Sequence, residues 1–230
     1  MVSCKVDRNS TATYFDANGV LQTAAVNQPR IDYSSGEGRL LVEGQSTNLL
    51  LRSEDFGNSY WLKDTATVED EGGYFSVVTS EANAVQGIRN TVNVFFNDGI
   101  TRAYYFDVKK LSDEGRYIWI GRTGSQSPSV CFDLDNLVAA GAPSWDIRPL
   151  GDGWFRLVSI TSTFGGTGTI RIAANTSLTQ ALSTFSGSGQ KAFGIKRAQL
   201  EQGSTPSSYI PTQASQVTRL ADTITPKGDA

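Results

Sequence analysis

From about residue 66 the chain is a series of short runs rich in Val, Ile, Phe, Tyr and Thr, separated by clusters of Gly, Asn, Asp and Ser. The runs are GYFSVVTS, NTVNVFFN, TRAYYFDVKKL, RYIWIGRT, SVCFDLD, GWFRLVSITSTF, GTIRIAANT and KAFGIKRAQLE. β-Branched and aromatic residues fit a pleated surface, and turn residues at this spacing break the chain into many strands. Helical periodicity is weak throughout; the best helical candidate is the stretch Ser53 to Trp61. No repeat of fixed period argues for a solenoid. The pattern predicts an all-β fold, an antiparallel jelly-roll β-sandwich.

Residues 1–53 differ from the rest. Turn signals recur at DANG, NQPR and SSGEG, and the apolar runs between them are only YF, VL and LLVE. That is too little to hold a separate core. The segment reads as an extended N-terminal arm laid on the main body or on a neighbouring subunit. The expected organisation is an arm over 1–53, a sandwich over 54–222 and a C-terminal tail over 223–230.

Composition narrows the function classes. A chain of 230 residues with 39% hydrophobic content can bury a substantial core. Its net charge of −3 comes from scattered charges of both signs, with no basic block to follow phosphates, so nucleic acid is not an expected partner. No apolar run approaches the length of a membrane span, and the first residues lack the apolar segment of a secretory signal. The sequence contains no histidine, which removes Ser–His and Cys–His nucleophiles and imidazole metal ligands. Cys4 and Cys131 are the only cysteines and form neither a disulfide framework nor a zinc motif.

Strand alternation assigns faces. Tyr104, Phe106 and Val108 fall on one side, read as core, and Tyr105, Asp107 and Lys109 on the other, read as solvent-facing. Ile118 and Ile120 share a face, with Arg116 and Arg122 at its ends; Tyr117 and Trp119 share the opposite one. Val130, Phe132 and Leu134 oppose Cys131, Asp133 and Asp135. If the isoleucines point inward, Tyr117 and Trp119 form an outward aromatic platform for the apolar face of a sugar, with Tyr105 and Arg122 supplying polar groups. Alternatively both rings are covered, since a strand can be apolar on both faces. Trp145 lies in the Pro- and Gly-bounded GAPSWDIRPLGDG, read as a loop, as a ligand contact or as a plug over the sandwich end. Trp154, after the GDG turn, reads as structural.

Carboxylate pairs test for enzymatic chemistry. Asp133 and Asp135 share a face, while Glu54-Asp55 and Glu69-Asp70-Glu71 are adjacent in sequence, which usually marks a solvated edge rather than two acids across a cleft. Asp133 and Asp135 are also candidate Ca²⁺ ligands, although no D-x-D-x-D-G loop accompanies them. No nucleophile elbow or phosphate loop is present, and GGTGT at 165–169 reads as a hairpin turn. The expectation is a protein with no catalytic residues, no metal site and no cofactor.

Both ends of the chain carry longer motifs. RNSTATYFDANGVLQTAAVNQPRIDY is followed by GRLLVEGQSTNLLLRSEDFGNSYW, and near the C-terminus stands AQLEQGSTPSSYIPTQASQVTRLAD. These segments, with GDGWFRLVSI between them, resemble a family of bacteriophage tail and tail-fibre domains with a carbohydrate-binding-module-like, concanavalin-like sandwich. Matching positions are Arg8, Tyr14, Asp16, Gly19, Pro29, Arg30, Glu43, Thr47, Asn48, Leu49, Ser53, Phe56 and Trp61. At the C-terminal end they are Gln199, Leu200, Glu201, Gly203, Ser208, Tyr209, Ile210, Pro211, Thr212, Arg219, Ala221 and Asp222. Arg39 stands where the family pattern has a second glycine.

The resemblance implies a virion surface protein made in the host cytoplasm. Its expected partners are host-surface or environmental glycans and other virion proteins, and by analogy with phage fibres it is a homotrimer. It implies no residue-level sugar site; the candidates Tyr105, Tyr117, Trp119, Arg122 and Trp145 come from strand alternation and loop position alone. A purely structural decoration or fibre protein and a polysaccharide-degrading enzyme are the alternatives. Pro206 and Pro211 set an extended path after the last core strand, with Glu201 and Arg219 as candidates for holding this tail to the body.

Overall fold

The computed structural model describes residues 4–95, 99–123, 129–141, 144–161 and 167–226. Twelve strands build the body: β1 Trp61–Asp64, β2 Thr67–Asp70, β3 Phe75–Val78, β4 Gln86–Asn90, β5 Arg102–Lys110 and β6 Tyr117–Arg122, then β7 Ser129–Asp133, β8 Val138–Gly141, β9 Ser144–Pro149, β10 Trp154–Thr161, β11 Ile170–Asn175 and β12 Lys191–Gln202. They form two six-stranded sheets, ordered β8-β7-β6-β11-β4-β1 and β9-β10-β5-β12-β3-β2, and every pairing named within them is antiparallel. Successive strands repeatedly swap sheets, so the connections cross the ends of the sandwich. This is the all-β sandwich that the short turn-bounded runs predict.

One core lies between the sheets. It contains Trp61, Tyr104, Phe106, Val108, Ile118, Ile120, Val130, Phe132, Ile170, Ile172, Phe193, Ile195 and Leu200. The inward sets read from alternation in β5, β6 and β7 are all in it. Each large apolar side chain buried here contributes about 1.5–3 kcal/mol relative to exposure. Ser53 to Trp61 is not a helix but a series of turns, closed by the Trp61 indole N–H donating to the Arg52 carbonyl at 2.9 Å. Among the described residues the one helical element is the 3₁₀ turn Asp113–Gly115. Trp145 lies on the edge strand β9, not in a loop. Of the expected GGTGT hairpin, Gly165 and Gly166 lie outside the described residues.

Both termini contribute strands. Cys4–Asp7 pairs with Thr223–Pro226, Ser46–Asn48 with Val217–Arg219, Ala12–Phe15 with Leu21–Ala24, and Ile31–Asp32 with Arg39–Leu40. The Ala12–Phe15/Leu21–Ala24 hairpin lies over the outer face of the second sheet, whereas Asn48 runs beside β12, its side chain donating to the Ala198 carbonyl at 3.1 Å. Leu21 and Tyr209 pack there on Tyr105, Val158 and Ile160, and the Thr13 hydroxyl donates to the Tyr209 carbonyl at 2.6 Å. Tyr105 and Asp107 are therefore fully buried, not solvent-facing. Asp107 sits between two guanidiniums, accepting from Arg156 at 2.8 and 3.0 Å and lying 2.8 Å from Arg197.

The residues that fasten the ends are the motif residues. Asp222 accepts from Arg8 at 2.8 Å, from Arg30 at 2.5 Å and from the Glu43 backbone N–H at 2.9 Å. Glu43 pairs with Arg30 at 2.8 Å and accepts from the Ser208 N–H at 2.7 Å. Arg219 donates to the Gly44 carbonyl at 2.8 Å. Glu201 accepts from the Ser207 N–H and hydroxyl, both at 2.6 Å, and from the Ser46 hydroxyl. Arg8, Arg30 and Asp222, whose side chains have no solvent access, would be costly unpaired; here they are joined by charge-assisted hydrogen bonds.

Candidate functional site

The five candidate binding residues do not share a surface. Tyr105 is buried beneath the arm, and the Arg156 guanidinium stacks 3.9 Å from its ring centroid. Trp119 is only 6% exposed. Its indole N–H donates to the Gln180 carbonyl at 2.8 Å, and its ring lies where a Gly121 side chain would be, 2.5 Å from an added Cβ. The segment 176–184 folds over it because Asn175 binds the Ser177 and Ala181 carbonyls at 3.0 and 3.1 Å and the Ser183 N–H at 2.8 Å. The outward platform read from alternation is thus roofed at Trp119, the covered-ring alternative. Tyr117 remains half-buried, with Arg116 over its ring at 4.8 Å.

Arg122 does not join that platform: its stem lies against Gly168, where an added Cβ would come within 2.6 Å of it. It is buried, and burial lowers its pKa, opposed by neighbouring Tyr104. Trp145 alone among the five is well exposed, at 40%, with its edge against Phe132 at 6.5 Å. Cys131 is a free, buried thiol whose pKa is raised by burial. Asp133 is held by Arg116 at 2.9 and 3.1 Å and by Asn136, and the Arg116 hydrogen bonds keep its carboxyl well below the usual range. Among the described residues no group of three or more acids, cysteines or histidines converges as a metal site would need.

An open cleft of about 690 Å³ lies elsewhere, between the arm and the β9–β10 hairpin. Several pieces of sequence build it. The turn between Ala12–Phe15 and Leu21–Ala24 contributes Asn18 and Val20. Asp16 shapes that turn by accepting from the Asn18 and Val20 N–H groups at 2.9 and 3.0 Å, bonds that hold its carboxyl below the usual range, and Gly19 adopts a φ of 74°. The following bend contributes Tyr33, Ser34 and Ser35. There Asp32 accepts from the Phe15 N–H at 2.8 Å and the Ser34 N–H at 3.1 Å. The β9–β10 hairpin contributes Arg148 and Asp152, and Ser207 and Ser208 close one side.

Tyr33 gives this cleft its character. Tyr33 is 37% exposed, and its ring lies against Gly38, where an added Cβ would come within 2.6 Å of it. An exposed ring held in one place, ringed by hydroxyls, an amide and charged heads of both signs, matches the chemistry that recognises a polyhydroxylated ring. Glu43 lines the cleft too, but both of its oxygens serve Arg30 and Ser208. Sequence reading passes over Tyr33 because an isolated tyrosine in a turn-rich arm carries no local signal; the opposite wall of the cleft, with Arg148, Asp152, Ser207 and Ser208, lies more than a hundred residues away. No protein-family model matches the chain, and no curated protein matches it.

Proposed function

We propose that this chain is a non-catalytic glycan-binding module of a bacteriophage virion. The observation that carries the reading is the cleft of about 690 Å³ with the Tyr33 ring exposed among hydroxyl and charged groups. Its volume is in the range that buries a small ligand. The resemblance at both chain ends to phage tail and tail-fibre domains supports the virion setting, and the motif residues support the fold of such a domain by fastening its ends. The test is an array of bacterial surface polysaccharides probed with wild type, Tyr33→Ala and Trp145→Ala. Binding lost with Tyr33→Ala and kept with Trp145→Ala is expected. A wild-type protein that binds nothing on the array would sink the reading.

A second reading, a structural decoration or fibre protein that contacts other virion chains or its own copies, is favoured by a different observation. Ile31, Leu40 and Val42 of the arm are all at least 40% exposed. Apolar residues gathered on one surface usually mark an interface. The two readings are compatible in one molecule, with the Ile31–Leu40 surface for assembly and the cleft for sugar.

A further inference from the structure

Beside the arm, the outer face of the second sheet carries a separate pocket of about 480 Å³, made by an irregularity in β12. The register between β5 and β12 pairs Asp107 with Arg197 but Val108 with Ile195, so Lys196 is an extra residue. Such a bulge re-aims side chains that strict alternation would send to opposite faces. Lys196 and Arg197 consequently line the same pocket, with Tyr74, Phe75 and Glu54.

The two cations are not equivalent. Arg197 is committed to Asp107 at 2.8 Å. Lys196 makes no hydrogen bond or ion pair within the described residues; its Nζ lies 4.1 Å from the Trp154 ring centroid. Tyr74 meets Trp154 edge-on at 5.3 Å, and both rings lie close over Gly194, where an added Cβ would be 3.0 and 3.2 Å away. The pocket thus offers one ammonium with no ion-pair partner among the described residues, beside immobilised aromatic surface.

We propose that this pocket is a subsite for the carboxylate of an acidic sugar, a uronic acid unit of the bound polysaccharide, with Lys196 as its cation. The proposal rests on the glycan-binding reading and names the substrate class. A single uncommitted cation suits a monoanion better than a phosphate dianion, since Glu54 stands on the same wall. The rings of Tyr74 and Phe75 suit the C–H face of a pyranose. Burial pushes the Lys196 amine down to about 8. An ammonium so poorly solvated gains more from an arriving carboxylate than a fully hydrated one does.

The experiment is calorimetric titration with tri-galacturonate and with its fully methyl-esterified, uncharged counterpart. Wild type should bind the acid at least about tenfold more tightly than the ester, and Lys196→Gln should lose about tenfold for the acid alone. Glu54→Gln should bind the acid several-fold more tightly, because a like charge has gone. Thermal melts of both variants check that they fold. Equal binding of acid and ester, no effect of Lys196→Gln, weaker binding by Glu54→Gln, or no binding of tri-galacturonate would each overturn the proposal. An array signal that depends on Tyr33 while the Lys196 arm is flat overturns the subsite alone; an array with no signal overturns both.

Discussion

At the scale of single residues, the molecule concentrates its electrostatics in Asp222. Its carboxylate, with no solvent access, joins Arg8 and Arg30, which are likewise without access. Burial opposes its charge, but hydrogen bonds from Arg8, the Glu43 N–H and Arg30 outweigh burial and lower its pKa. Asp222→Asn leaves two buried guanidiniums short of a partner, so a loss of about 3–5 kcal/mol is expected by urea denaturation. A lowered folded pKa means that the unfolded chain takes up this proton first. The contribution is complete above the unfolded value of about 3.9 and fades as pH falls below it through the lower folded value. The wild-type melting temperature should therefore drop steeply below about pH 4, and Asp222→Asn should flatten that drop. Arg8, Arg30, Glu43, Ser208, Arg219 and Asp222 are legible in the sequence as a motif. Their convergence is not, because Arg8 and Asp222 are joined only through the folded sandwich.

At the scale of elements, alternation says which side of a strand faces the core, and it does so correctly for Phe106, Ile118 and Phe132. It does not say whether the other side is bare. That depends on what folds back over it, and the covering segments are remote in sequence: the arm for Tyr105 and residues 176–184 for Trp119. The Lys196 bulge is illegible for a related reason, since one inserted residue reverses the phase of the pattern without changing its composition. Trp119 belongs to the folded scaffold, so Trp119→Ala should cost about 3–5 kcal/mol of stability and leave any polysaccharide binding intact. Asn175→Ala should act more locally. Removing the side chain that holds the Ser177 and Ala181 carbonyls should raise hydrogen exchange across 176–184 while β6 and β11 stay protected.

At the scale of the whole molecule, the sandwich has two differently treated outer faces. The second sheet is covered by the chain's own ends, and the cover itself presents apolar groups outward. Ile31 and Leu40 are cross-strand partners in a two-residue pairing, and they are 43% and 40% exposed. A pairing that short gains little stability by itself. Val20 and Val42, 52% and 47% exposed, belong to the same arm. The arm is fastened from beneath by Arg8 and Arg30, so substitutions on its outer surface should not disturb the latch. If this surface joins copies of the chain, Ile31→Asp with Leu40→Asp should place like charges opposite each other at the interface and split a trimer into monomers. The melting temperature at low protein concentration should stay close to that of wild type, because neither side chain contributes to the core. Light scattering after size exclusion measures the mass. A wild-type protein that runs as a monomer at tens of micromolar would remove self-association and leave the arm's apolar surface to a different protein chain.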